Sequence, residues 1–368
     1  MTPFGVYVHI PFCARRCEYC AFATWTDRHH LMAAYAAACI SEIGRQHPAP
    51  ATSVFFGGGT PSLLPPSLLT DILSAIPRHE DAETTVECNP DTVSQGLLAA
   101  YVDAGVSRLS LGVQSTAPHV LRALGRTHDP SSVARSVELA RAAGFTDINI
   151  DLIYGSPAET DADWRATLDA VLALEPQHVS AYALTVEPGT PLASDPARHP
   201  DDDVQATRYE VADEVLGAAG LRNYEISNWA RPGHECRHNV LYWSQGDYLG
   251  VGCAAHSHRR GRRWWNVRTP ERYIDAIARG RSPVAGEERL TDEERATEAV
   301  QLGLRTRNGV PATAVTSAIS AELATAGLVA SRDGRVVLTQ AGRLLANEVT
   351  VRLTDRPGMA GRTSAPGR

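Results

Sequence analysis

The chain has no charged-then-apolar leader, and no apolar run is long enough to span a bilayer. A secreted or membrane-spanning protein is therefore not expected, and a cytoplasmic one is. Cysteine is sparse and uneven, with seven residues, an odd number, scattered beyond the first three. That pattern excludes a secreted disulfide framework. No second C-x2-C pair exists, although a four-ligand structural zinc site commonly uses two. Positive charge is also short: 35 Lys and Arg against 42 Asp and Glu leave a net charge of −7, which argues against a general nucleic-acid surface. What remains is ordinary for an enzyme-sized soluble chain. Its 368 residues are 43% hydrophobic and 21% charged, enough for one large domain and a smaller one.

The most informative feature is HIPFCARRCEYCAF, where Cys13, Cys17 and Cys20 follow a short apolar run, Val6–Ile10, that reads as a buried strand. Three thiolates on one loop can hold three irons of a [4Fe–4S] cube and leave the fourth iron without a protein ligand. A metal with an open coordination position is reactive, whereas a fully ligated one is usually structural. His9 is a candidate fourth ligand, but Pro11 stiffens the path from it to Cys13. A disulfide would leave one thiol of the three over. The C-x3-C-x2-C spacing resembles that of radical S-adenosylmethionine (SAM) proteins, and the resemblance implies a cluster whose unique iron chelates SAM.

Along the chain, short β-branched runs alternate with amphipathic stretches. Strands are expected at Val6–Ile10, Ser53–Phe56, Thr84–Cys88, Arg108–Gly112, Asn149–Tyr154, His178–Leu184 and Asn223–Ser227. Helices are expected at 31–43, where Cys39 reads as a small core residue, and at 67–76, 95–104, 132–143, 163–174 and 203–219. Several end in an Ala-Gly step suited to a C-cap. Units of this size imply βαβ crossovers, hence an α/β fold with a parallel sheet. About six of them make a partial (β/α)6 barrel, with chemistry at the C-terminal strand ends.

The polar residues follow that rule. Gly57-Gly58-Gly59-Thr60-Pro61 comes straight after the second strand, where glycine lets a backbone approach a ligand. Glu87 ends the third strand, Gln114 the fourth, Arg126 follows in LGRTH, and Asp151 stands inside the apolar fifth. A carboxylate in an apolar strand is costly unless paired or bonded. Asp151 is therefore either an internal ion-pair partner of Arg126 or Arg108, or a ligand anchor facing the barrel mouth. The Asn89-Pro90 step reads as turn chemistry.

These motifs, with VECNPDTV, RLSLGVQS, NIDLIYGSP, YALTVEPGTPL and HNVLYW, resemble one branch of the radical SAM superfamily over about 5–353. That branch contains the oxygen-independent coproporphyrinogen III oxidases and the HemW-type heme chaperones. The resemblance implies that Tyr7, Tyr19, Gly58 and Glu87 lie around the cluster-bound SAM. It also implies that Gly59, Thr60, Gln114, Arg126 and Asp151 correspond to residues holding a second SAM in the oxidases. Two departures favour the chaperones. The oxidases carry a fourth cysteine two residues after the third, where this chain has Phe22, and a long segment before the first cysteine, where this chain has twelve residues. The expected function is thus a radical SAM heme chaperone delivering heme to apo-hemoproteins such as respiratory cytochromes. The alternative is the oxidative decarboxylation of coproporphyrinogen III, and a radical SAM methyltransferase shares the same core. A reductant of flavodoxin or ferredoxin type is the implied electron partner; a peripheral membrane contact and a homodimer are compatible with this reading.

His238-Asn239-Val240-Leu241-Tyr242-Trp243 resembles the heme-associated motif of the chaperone branch, and makes His238 the first candidate for heme contact. An imidazole can ligate heme iron, and Tyr and Trp rings offer flat apolar area. Read without the family, His238 is a hydrogen-bonded structural residue. His256, Cys253 and Cys236 are the competing ligands. The run RRGRRWWN reads as a solvated hairpin with packed rings, or as arginines meeting heme propionates. The expected organisation is a barrel over 1–235, a junction over 236–290, and a helical domain over 291–354 in which helix, helix and a hairpin at Asp333-Gly334 resemble a winged helix. A disordered tail is expected over 355–368.

Overall fold

The structure, a computed structural model, describes residues 2–354; the expected tail lies outside them. Strands β1 (Phe4–Ile10), β2 (Ala51–Gly58), β3 (Arg78–Cys88), β4 (Arg108–Gln114), β5 (Asp147–Tyr154) and β6 (His178–Ala183) lie side by side in chain order, all parallel. The α/β partial-barrel expectation holds, with each of the six strands within a few residues of its predicted place.

Alternation along these strands decides what the barrel contains. Val6, Val8, Ile10, Val54, Phe56, Val86, Leu109, Leu111, Ile150, Leu152 and Val179 point outward into the helical layer and are fully buried. Their neighbours point inward and are polar: Tyr7, His9, Glu87, Ser110, Asn149, Asp151 and Ser180. Side chains alternate with period two, so one apolar set makes the core and the other set is free for chemistry. The crossover helices are started by side-chain caps, Ser94 accepting from the Leu97 N–H and Thr160 with Asp163 forming a capping box.

Beyond β6 the chain departs from expectation. The run expected as one strand at Asn223–Ser227 is split into β7 (Arg222–Glu225) and β8 (Asn228–Ala230), and β8 pairs antiparallel with β6. The chain then returns to the opposite edge. There β9 (Asp247–Val251) adds parallel to β1, followed by antiparallel β10 (His256–Arg259), β11 (Arg262–Asn266) and β12 (Val284–Arg289). These strands are short and rich in Gly, Arg and His, which hides them from a period-two reading. The RRGRRWWN run is indeed a hairpin, turning at Arg260 and Gly261, both in the left-handed region as a two-residue primed turn requires.

Element contacts divide the chain into two units. The first takes residues up to 223 with 227–242 and 246–289; the second takes 224–226, 243–245 and those from 290 onward. In the second, helices Asp292–Leu304, Ser317–Thr325 and Ala346–Thr354 enclose Val300, Leu304, Leu323, Val329, Val349 and Leu353. A small sheet accompanies them, with β13 (Val310–Pro311), β14 (Val329–Arg332) and β15 (Arg335–Leu338) in the order β13-β15-β14.

One buried acid secures the added strands. Glu42, 2% exposed on the helix Met32–Gln46, accepts from the Gly252 N–H at 3.0 Å, from Asn266 Nδ2 at 2.8 Å and from the Tyr273 hydroxyl at 2.5 Å. Burial raises its carboxyl above the usual range. Glu42→Ala leaves the Gly252 N–H and the Tyr273 hydroxyl without this acceptor, while Asn266 keeps only its bond to the Gly252 carbonyl. It should cost roughly 2–4 kcal/mol, read as a lower melting temperature, with hydrogen exchange rising first over residues 250–266.

Candidate functional site

The cysteine loop leaves β1 at the mouth end and is held by its neighbours rather than by its own secondary structure. Gly59 and Thr60 donate backbone N–H groups to the carbonyls of Ile10 and Phe12 at 2.7 and 2.8 Å. Trp25 and Cys13 close the loop with bonds of 2.7 Å (Trp25 N–H to Pro11 carbonyl) and 3.0 Å (Cys13 N–H to Trp25 carbonyl). From the far side the Glu18 N–H reaches the Leu124 carbonyl, and Glu18 pairs with Arg198 at 3.0 Å. Cys13, Cys17 and Cys20 are all reduced and half-buried. Burial raises the Cys13 and Cys20 thiols, and the neighbouring cysteines add to it. Such thiols become good thiolate ligands only beside compensating positive charge.

His9 is not a fourth ligand. Its Nε2 donates to the Ala23 carbonyl at 2.9 Å, which leaves Nδ1 to accept from the Tyr7 hydroxyl at 3.1 Å. Both nitrogens are spent, and burial lowers the imidazole pKa, so the ring is neutral. Gly58 lies over this ring with φ of +109°, where a Cβ would collide with Nδ1. Gly59 is equally constrained, because a Cβ there would meet the Phe12 and Ile10 carbonyls and the Cys13 sulfur at 3.0 Å or less.

Deeper in the mouth, Glu87 accepts from the Gly58 N–H at 3.1 Å. Among the described residues Asp151 makes no ion pair; Ser110 donates to it at 2.6 Å and Asn149 Nδ2 at 2.8 Å. The expected partners are engaged elsewhere, Arg108 beside Asp147 and Arg126 at the Gly112 carbonyl, Asn89 Oδ1 and the Cys17 sulfur. Of the two readings of Asp151, the internal ion pair is therefore not what the fold builds. Gln114, with φ of +66°, turns at the β4 bulge so that its amide, Arg126 and Asn89 surround Gly112. Asn89 opens the turn expected from the sequence, its carbonyl accepting from the Thr92 N–H, and its side chain in addition bridges Thr60 and Arg126. Tyr19 packs on the apolar wall of Ala117, Val120, Leu124, Ile153 and Leu184 beside the loop.

Two carboxylates without cations, Glu87 and Asp151, thus face an opening that also offers the Arg126 guanidinium and turn glycines. A ligand with both positive charge and a carboxylate suits that arrangement. The supporting Ser110, Asn149, His178 and Ser180, joined by bonds of 2.6–3.1 Å, escaped sequence reasoning. Asn149 lies two residues before Asp151 on the same strand face, a signal that period two could have supplied.

The heme candidates fare differently. His238 lies on the helix Arg237–Trp243, 1% exposed, with Nδ1 on Ser53 Oγ at 2.9 Å and Nε2 on the Tyr242 hydroxyl at 2.8 Å. Its ring stacks on Phe55, and burial lowers its pKa to about 3. The imidazole has no free lone pair, so the structural reading of His238 describes its place here. Cys236 and Cys253 are buried thiols pushed up to about 12, and neither presents a thiolate. His256 alone is exposed. Arg259, Arg260, Arg262 and Arg289 line a surface cavity of about 440 Å³ with Trp264, on the sheet face opposite to His256.

A parallel barrel whose first crossover holds three cysteines, followed by a glycine turn and strand-end carboxylates, defines a radical SAM protein. A model of the Radical SAM superfamily matches residues 7–171. The fold agrees: coproporphyrinogen III oxidase (HemN) from Escherichia coli superposes with a TM-score of 0.84 at 24% identity, over 96% of this chain and 90% of that one. Sequence similarity is higher to heme chaperones. HemW of Mycobacterium tuberculosis is 44% identical over 94% of both chains, and HemW of Bacillus subtilis is 35% identical over 94% of this chain and 97% of its own. The chain belongs to the HemW family of heme chaperones within the radical SAM superfamily. Superfamily membership implies SAM and a [4Fe–4S] cluster.

Glu87 gives a pH test. Its carboxyl is pushed up to about 8, by burial first and by the charge of Asp151 second, against the Gly58 N–H. The folded chain therefore keeps a proton that the unfolded chain releases near 4.5. The stability this group contributes is full below that value and is lost as pH rises through about 8. Melting temperatures of the cofactor-free protein should fall across that window. Glu87→Gln should flatten the difference, and an unchanged slope in the variant would reject the assignment.

Proposed function

We propose that this chain is a heme chaperone that binds heme and hands it to apo-hemoproteins such as respiratory cytochromes. The observation that carries the reading is the extent of similarity: 44% identity over 94% of both chains takes in the C-terminal unit as well as the barrel. Phe22, 65% exposed, stands where the related oxidases carry a further cysteine, which supports the same choice.

On this reading Cys13, Cys17 and Cys20 hold the [4Fe–4S] cluster. The donor set fits, with three thiols on one clamped loop, His9 engaged elsewhere, and no Cβ at Gly59 to crowd Cys13. Tyr7, Tyr19, Gly58 and Glu87 surround SAM beside it, and Gly59, Thr60, Gln114, Arg126 and Asp151 line the remainder of the mouth. Bound there, the cluster and SAM supply one-electron chemistry. Glu87 would attract the positive groups of the cluster-bound SAM, while Asp151 and Arg126 would offer opposite charges to a second ligand in the mouth. Exposed Arg15, Arg16 and Phe22 offer an acidic flavodoxin- or ferredoxin-type carrier a basic, partly apolar face on the loop itself. Among the described residues no helix is long and apolar enough to cross a membrane.

The test is an anaerobic hemin titration of the cluster-reconstituted protein, followed at the Soret band. Saturable, near-stoichiometric binding is expected; its absence would overturn the chaperone reading and turn attention to porphyrinogen decarboxylation. Independently, Cys17→Ala should abolish the cluster's broad visible absorption while leaving far-ultraviolet circular dichroism unchanged, since the Cys17 sulfur meets only the side chains of Arg126, at 3.8 Å, and Tyr19.

A further inference from the structure

A heme chaperone needs a group that can meet the iron, and the inference below rests on that reading. The histidine of the HNVLYW motif cannot serve without breaking its bond to Ser53 or to Tyr242. Register points elsewhere. On β9, Gly250 lies beside Tyr7, and β10 runs antiparallel to β9. His256, at the start of β10, is therefore at the mouth end of the sheet, on the inward face that also carries Tyr7 and Glu87. Gly250 lets this happen: a Cβ there would collide with the His256 backbone, so β10 rides in close over the sheet. His9 follows Tyr7 by two residues on the same inward face of β1, and its ring lies directly beneath Gly58.

The ring itself is presented. His256 is exposed and makes no hydrogen bond among the described residues. Its imidazole stacks on Trp265, ring centroids 5.8 Å apart and planes 25° from parallel. Opposite Trp265 in the next strand is Gly286, where a side chain would strike the indole, so the indole lies flat on the β12 backbone. One step along the strands Arg263 and Glu288 pair at 3.2 Å and neutralise each other. The His256 pKa lies below the ordinary value, desolvation being the largest cause, so the ring is neutral near pH 7 and keeps a lone pair.

We propose that His256 is the imidazole that meets the heme iron at the barrel mouth, with Trp265 as the positioning residue that holds its ring. A neutral, unpartnered imidazole on a rigid sheet suits an axial ligand, and one outer-shell stack fixes its direction. The site places cargo iron on the same face as the cluster loop, within the unit that carries both.

The test is the anaerobic hemin titration repeated with His256→Ala, Trp265→Ala and His238→Gln. His256 is exposed and unpartnered, so its removal leaves the fold intact, and unchanged cluster absorption and melting temperature verify that. Expected for His256→Ala are a shifted Soret band, hemin affinity weaker by about tenfold or more, and restoration of the original spectrum by free imidazole. Trp265→Ala should weaken binding less and keep the wild-type Soret position. Saturable wild-type binding with an unshifted His256→Ala spectrum would overturn this assignment alone. Loss of the axial signature in His238→Gln, with imidazole rescue there instead, would also overturn it. Absence of wild-type binding would remove the chaperone reading together with this site.

Discussion

Two backbone hydrogen bonds hold the rest of the site in place. Gly59 to Ile10 and Thr60 to Phe12 extend the β1–β2 pairing one step beyond the strand ends, into the cysteine loop. The loop has no regular structure of its own, and loops of this kind are ordered only by what they touch. Because the pairing continues, Gly59 must approach the Cys13 sulfur closely, Gly58 must lie on His9, and a side chain at either position would push β2 away. The cysteine loop and the glycine turn are thus one mechanical unit.

Inside the barrel the energetic situation is reversed. The outward strand faces supply the hydrophobic stabilisation, and the inward face keeps Glu87 and Asp151 with no cation between them. Burying such a pair costs free energy that the apolar layer offsets. The same cost holds a proton on Glu87, and a positively charged ligand that let it ionise would relieve that cost, so the mouth favours one. Local destabilisation at the strand ends and a strong core one residue away are two faces of the same alternation.

The added strands show a different logic. Glu42 ties Gly252, Asn266 and Tyr273 together, and so joins β9–β11 to the first long helix. Tyr35 contributes as well, donating to the His9 carbonyl and accepting from the Cys253 N–H. The strands that bring His256 over the mouth are therefore anchored to the same β1 residues that launch the cysteine loop. His238 serves this framework too, bracing β2 through Ser53 and the following turn through Tyr242.

Much of this was legible in the chain. The six parallel strands, the cysteine triplet, the glycine turn and the strand-end polar residues follow from period and spacing, because each depends on neighbours within a few residues. Asn89, Ser110 and Asn149 were not recognised, since a polar residue near a turn or within a strand gains its role only from partners on other strands. Of the edge strands the β10–β11 turn was legible in RRGRRWWN, but β9 and β12 were missed because they are short and their pairing depends on the chain returning to β1 from far away. The bonds that engage both His238 nitrogens were invisible for the same reason: a motif gives residue type and order, but not the partners of a ring. By itself the sequence determined the barrel, the cysteine triplet and the class of chemistry, all set by local pattern. Only tertiary structure decided which carboxylates stand unpaired and which imidazole faces the mouth, because hydrogen-bond partners and exposure are properties of packing.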